Sequence, residues 1–104
     1  MSHILIYVTY PNTREAEKAV TMLLDKRLIA CANVAPPHTA MYRWENKTER
    51  SQETAVILKT RRDLFEKVRD AICSNHSFQC PSVVAVSVEA GHEPFLRWID
   101  SETA

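Results

Sequence analysis

The stretch Thr39-Ala40-Met41-Tyr42-Arg43-Trp44-Glu45-Asn46-Lys47 constrains this chain more than any other. Tyr42 and Trp44 alternate with Arg43 and Glu45, and that period of two is a strand signal. Asn46 tolerates the left-handed backbone of a tight turn, so the stretch reads as the tip of a β-hairpin. A return strand runs from Thr48 towards Thr60. Fully extended, it measures on the order of 40 Å at roughly 3.3 Å per residue. A compact domain of this size has a radius of gyration of about 13 Å. Unless a bulge or Pro36-Pro37 folds it back, the hairpin outruns its own domain. Tyr42 and Trp44 then sit on a bare edge, which invites association.

The remaining bulk properties mainly exclude. At 104 residues the chain is sized for one domain, residues 1–104, with one modest core. Thirteen basic and thirteen acidic residues cancel, which gives no reason to expect nucleic acid or an anionic membrane as partner. No apolar run approaches the ~18 residues of a spanning helix. The start, Met1-Ser2-His3-Ile4-Leu5-Ile6, shows neither the basic segment nor the cleavage site of a secretion signal. Three cysteines cannot all pair within one chain, so reduced thiols and a cytoplasmic location are expected. With Gly91 as its single glycine, the chain has no glycine-rich phosphate loop, dinucleotide fingerprint or nucleophile elbow.

Ile4–Thr9 is nearly all apolar and reads as a central strand. Asn12 with Glu15 has capping-box spacing. Ala16, Ala19, Val20, Leu23 and Leu24 then form one helical face. Leu28–Val34 reads as a second strand, broken by Pro36-Pro37. Thr60 with Asp63 is expected to cap a second helix, with Leu64, Phe65, Val68, Ala71 and Ile72 on its inner face. Val83–Glu89 is a further strand, and Pro94 opens a short terminal helix whose His92 takes a capping role. The order β-α-β-β-α-β predicts an α+β, ferredoxin-like sandwich with an extended central hairpin and a short C-terminal helix. Both helices cover one face of the sheet. The other face has no cover from its own chain, although its strands are apolar, which again points to an oligomer.

These stretches together resemble the CutA divalent-ion tolerance proteins. The resemblance rests on Tyr10-Pro11-Asn12 with Ala16-Glu17, on Lys26-Arg27-Leu28-Ile29-Ala30-Cys31-Ala32-Asn33, and on Tyr42-Arg43-Trp44-Glu45-Asn46-Lys47. Leu58-Lys59-Thr60-Arg61 and the closing stretch from Gly91 to Trp98 also fit, in the same order. The resemblance implies a PII-like homotrimer in which the long hairpins pair across subunits. It also implies a role in tolerance to divalent metals, copper above all, and no established enzymatic activity. Tyr42, Arg43, Trp44, Glu45 and Lys47 are the expected trimer interface. The sequence departs from the family pattern at His76-Ser77-Phe78-Gln79-Cys80-Pro81, at Asn46 and at Val8.

For metal chemistry the candidates are His76, Cys80, Cys73 and Cys31. Cys73 and His76 share a helical face at i, i+3, with Cys80 beyond the helix end. Thiolate and imidazole donors suit Cu(I) or Zn(II), but a closed site wants four ligands and no fourth is evident. The competing reading has Cys73 partly buried, His76 facing solvent and Cys80 packed before the next strand. Cys31 in Ala30-Cys31-Ala32 equally suits a small buried hydrophobe. His3 and His38 read as surface residues. Arg43, Glu45 and Lys47 with Lys59, Arg61 and Arg62 can line an anion-binding cleft between subunits, or a solvated rim. The expectation is a cytoplasmic, homotrimeric cation-tolerance protein, with copper as candidate ligand. The alternative is a PII-like scaffold that binds a small anionic ligand between subunits.

Overall fold

A computed structural model describes residues 2–104. Strand β1, His3–Tyr10, is followed by helix α1, Thr13–Asp25. Strands β2, Cys31–Val34, β3, His38–Trp44, and β4, Lys47–Arg61, come next. A 3₁₀ turn, Arg62–Leu64, leads into α2, Phe65–Asn75, then β5, Val84–Ser87, and α3, Glu93–Glu102. The sheet order is β2-β4-β1-β5, with β3 paired to the far end of β4 and every pairing antiparallel. This is the ferredoxin-like arrangement expected from the element order.

Asn12 caps α1 as expected, its Oδ1 accepting the Glu15 N–H at 2.8 Å. Helices α1 and α2 bury Ala16, Val20, Leu23, Val68 and Ile72 against Ile4, Ile6, Val8, Val56 and Leu58. Leu24, expected on the inner face, is exposed instead. The second strand begins only at Cys31. Before it, Leu28 N–H reaches back to the Leu23 carbonyl and Arg27 N–H to Leu24, closing α1 in a Schellman motif. Arg27 takes the left-handed position at φ 57° that glycine usually fills. Thr60 does not cap a helix, because β4 continues through it and its hydroxyl donates to the Leu28 carbonyl at 2.6 Å.

Pro36-Pro37 separates β2 from β3. Between the pairs Val34–Val56 and His38–Glu53, four steps on one strand match three on the other. That is a β-bulge, and it lets the hairpin continue rather than fold back. The turn Glu45-Asn46 has both residues at positive φ, 49° and 66°, between the paired Trp44 and Lys47. This is the two-residue turn whose twist suits a hairpin. Glu45 therefore belongs to the turn, not to the strand. The arm makes the molecule 45 Å long against 26 and 24 Å in the other directions.

The second sheet face carries Leu5, Tyr7, Ile57, Val84 and Val86, all but Leu5 exposed. It is not wholly uncovered, as the sequence suggested. Helix α3 lies over one end, burying Ile99, with Asp100 accepting from His3 Nε2 at 2.8 Å and Lys59 Nζ 5.7 Å from the Phe95 ring centre. His3 is thus a buried partner of α3 rather than a surface residue. Arg27 fastens the same helix by donating to the Ser101 and Glu102 carbonyls at 2.9 and 3.2 Å. His92 stands at the N-cap, yet its side chain makes no capping bond; its carbonyl receives Phe95 and Leu96 instead.

Candidate functional site

Two features converge where the arm leaves the domain: the loop after α2 and a groove beside it. His76 ends α2 and its side chain is 0% exposed. Its Nδ1 lies 2.9 Å from the Phe78 backbone nitrogen and its Nε2 lies 2.8 Å from the Thr9 carbonyl. A backbone N–H can only donate and a carbonyl can only accept. The ring is therefore the neutral tautomer with its proton on Nε2. It stacks on Tyr10 with centroids 4.3 Å apart and planes 16° apart, and Phe78 closes the other side at 4.8 Å. Glu15 does not complete the capping box. Its carboxylate accepts from the Ser77 N–H at 3.0 Å and hydroxyl at 2.8 Å, tying the loop to α1. Burial, then the Glu15 charge, then Cys73 push the Tyr10 phenol up to about 12.

This placement departs from both sequence readings of His76, since it neither faces solvent nor offers a free nitrogen. Cys73 and Cys80 are exposed and Cys31 is half-buried, all three unpaired. Burial raises the Cys31 thiol, with Lys59 opposing the shift. Among the described residues, no three His, Cys, Asp or Glu side chains come together to hold a metal ion. One subunit alone therefore does not fit the expected Cys73, His76, Cys80 ligand set.

The groove, of about 770 Å³, runs between the arm and the loop and is lined by Tyr42, Trp44, Glu49, Glu53, Phe78 and Cys80. Cross-strand pairing explains the set. Tyr42 faces Glu49, Trp44 faces Lys47, and Tyr42 Oη lies 3.4 Å from Ser51 Oγ. By pairing parity Arg43 shares the alternate face of the arm with Thr48, Met41 and Arg50, yet Met41 and Arg43 also border the groove. Of the expected interface residues, Tyr42, Trp44 and Lys47 share one face, Arg43 holds the other and Glu45 holds the tip. Glu53 is a groove acid that the sequence reading missed: only 8% of it is exposed, and Ser51 donates to it at 3.4 Å. The alternation Glu49, Ser51, Glu53 along β4 was the available signal.

The family model for the CutA1 divalent ion tolerance protein matches residues 4–102. The chain belongs to this family. It is 42% identical over 100 residues to the divalent-cation tolerance protein CutA of Pyrococcus horikoshii, covering 96% of this chain and 97% of that one. A human protein described as CutA is 34% identical over 97 residues, and the match spans 54% of its length. Among solved structures, the periplasmic divalent cation tolerance protein CutA of Archaeoglobus fulgidus superposes with a TM-score of 0.94 at 41% identity, covering 96% of this chain and 97% of that one. CutA1 of Oryza sativa superposes at 0.97 with 29% identity, covering 100% and 95%. The CutA family is one of tolerance proteins rather than known enzymes.

Proposed function

We propose that this chain is a homotrimeric cation-tolerance protein of the cytoplasm that works as an assembly rather than as an enzyme. The observation that carries the reading is the unfinished surface of a single copy. Tyr7, Ile57, Val84 and Val86 lie exposed on one sheet face, and Tyr42 and Trp44 continue it along the arm. Among the described residues, strand β5 pairs only on its β1 side, and β4 from Lys47 to Glu53 pairs only with β3. Exposed apolar faces next to bare strand edges suit pairing with further copies of the chain. An arm on one copy and a short edge strand on the next make a head-to-tail contact, which closes into a ring when the rotation between copies is a whole fraction of a turn. Three free thiols suit a reducing compartment.

Copper, which the sequence resemblance implies, enters this proposal without the inherited ligands, because both His76 nitrogens are engaged. The test of function is growth. Cells lacking this protein are grown in graded copper, zinc and cobalt, with and without the gene restored. Restored cells are expected to grow at higher metal concentrations than the deleted strain. Identical curves for all three metals would overturn the tolerance reading.

A further inference from the structure

We infer that the groove between the arm and the loop after α2 binds a linear aliphatic polyamine. Glu53 and Glu49 hold its ammonium groups, and the aromatic rings of the groove cover its methylene chain. Such a ligand is an organic cation rather than a metal ion, which goes beyond the tolerance reading. Every group that holds it lies within one copy of the chain.

Glu53 is the residue that points to a ligand. It lines the groove and is only 8% exposed. Among the described residues no cationic side chain pairs with it. Even His38, directly across from it in the strand pairing, forms no ion pair with it. Its carboxylate takes a long hydrogen bond from the Ser51 hydroxyl, at 3.4 Å. Burying a carboxylate is costly unless opposite charge or good donors meet it. One distant hydroxyl offsets little of that cost, whereas a cation in the groove offsets most of it.

The acid is nonetheless fixed in place. Ser51 has one hydroxyl proton and donates it to Glu53, so at its 3.4 Å contact with Tyr42 it accepts from the phenol. Tyr42, Ser51 and Glu53 thus form a relay along the groove wall.

A second acid sets the length of the ligand. Glu49, Ser51 and Glu53 share one face of β4, and Glu49 lies directly opposite Tyr42. Four residues separate the two acids, or about 13 Å of extended strand at roughly 3.3 Å per residue. A single ammonium or metal ion does not bridge that separation, whereas a flexible chain with an ammonium at each end does. Tyr42 and Trp44 of the arm and Phe78 of the loop give the groove aromatic walls. Ring faces attract ammonium ions and cover methylene groups. Arg43 borders the groove from the alternate face of the arm, so the two acids outnumber it. Lys47 shares the face of the acids but lies at the tip, outside the lining.

The test is isothermal titration calorimetry of the full, reduced chain, in whatever assembly it forms, with the linear triamine spermidine at physiological salt. Saturable binding of one triamine per chain is expected, with a change in Trp44 emission in a Trp98→Phe background. Glu53→Gln is expected to weaken binding by roughly tenfold, as is Glu49→Gln, which carries the test should Glu53→Gln fail to fold. Glu17→Gln, on the exposed surface of α1, is expected to bind like the parent. The monoamine n-butylamine and Mg²⁺ are expected to bind more weakly than spermidine. Absence of saturable binding, as when a neighbouring copy fills the groove, overturns the inference. So does an equal loss in Glu17→Gln, or binding of Mg²⁺ or n-butylamine as tight as that of spermidine.

Discussion

The imidazole of His76 lies 4.3 Å from the ring of Tyr10 and nearly parallel to it, with both of its nitrogens bound to backbone. A residue that the sequence offered as a metal ligand is thereby a structural pin. It fastens the loop after α2 to the end of β1, at the point where β4 leaves the domain to form the arm.

Replacing His76 by alanine strands the Thr9 carbonyl and the Phe78 N–H and opens a hole under two aromatic rings. The expected loss is about 2–4 kcal/mol, read as a lower midpoint in guanidinium unfolding. Any Cu(II) uptake, measured by equilibrium dialysis, is expected to be the same before and after the substitution. Uptake that disappears with His76 would show that the ring leaves this pocket for a metal.

Tyr10 makes a prediction about alkaline stability. The unfolded chain ionises this phenol near its ordinary 10.0, whereas the folded chain holds the proton to about 12. The unfolded state loses its proton first, so stability is unaffected below pH 10 and declines between pH 10 and 12. The decline attributable to this group is roughly 2–3 kcal/mol. Denaturant titrations at stepped pH are expected to show it in the parent and not in Tyr10→Phe.

Trp44 lies outside the core, exposed on the arm. Trp44→Ala is expected to weaken assembly by roughly 2 kcal/mol per contact while leaving the circular dichroism of the fold unchanged. Sedimentation across a dilution series measures this. Assembly as tight as the parent's would remove Trp44 from the interface.

The three thiols differ in setting. Burial raises the Cys31 thiol, which lowers its thiolate fraction at neutral pH, while Cys73 and Cys80 are exposed. Two thiols are expected to react quickly with a chromogenic disulfide at pH 7.5 and one slowly. The slow phase, mapped to Cys31 by mass spectrometry, is expected to accelerate as pH rises.

These cases show where the sequence was legible. Asn12 caps α1 and Asn46 turns the hairpin because each acts on backbone within a few residues. The apolar spacing of α1 and α2 and the break at Pro36-Pro37 are local in the same sense. His3 was misread because its partner, Asp100, is 97 residues away. His76 was misread for a similar reason. Its spacing from Cys73 and Cys80 suggests a ligand set, but Thr9 and Tyr10 decide its role from across the fold. Leu28 has strand-like composition, yet its N–H closes α1 on the Leu23 carbonyl, and only from Ala30, whose N–H reaches Lys59, does the backbone join β4. Glu53 was overlooked because an acid in a polar strand segment carries no sign of burial until the groove forms around it.

On the proposed reading, the exposed sheet face and the arm are surfaces made for other copies of this chain. Multi-angle light scattering on purified, reduced protein at micromolar concentration tests it directly. The predicted result is a single species of three times the 11.9 kDa chain mass. A species at the single-chain mass would show that these surfaces do not join copies of the chain.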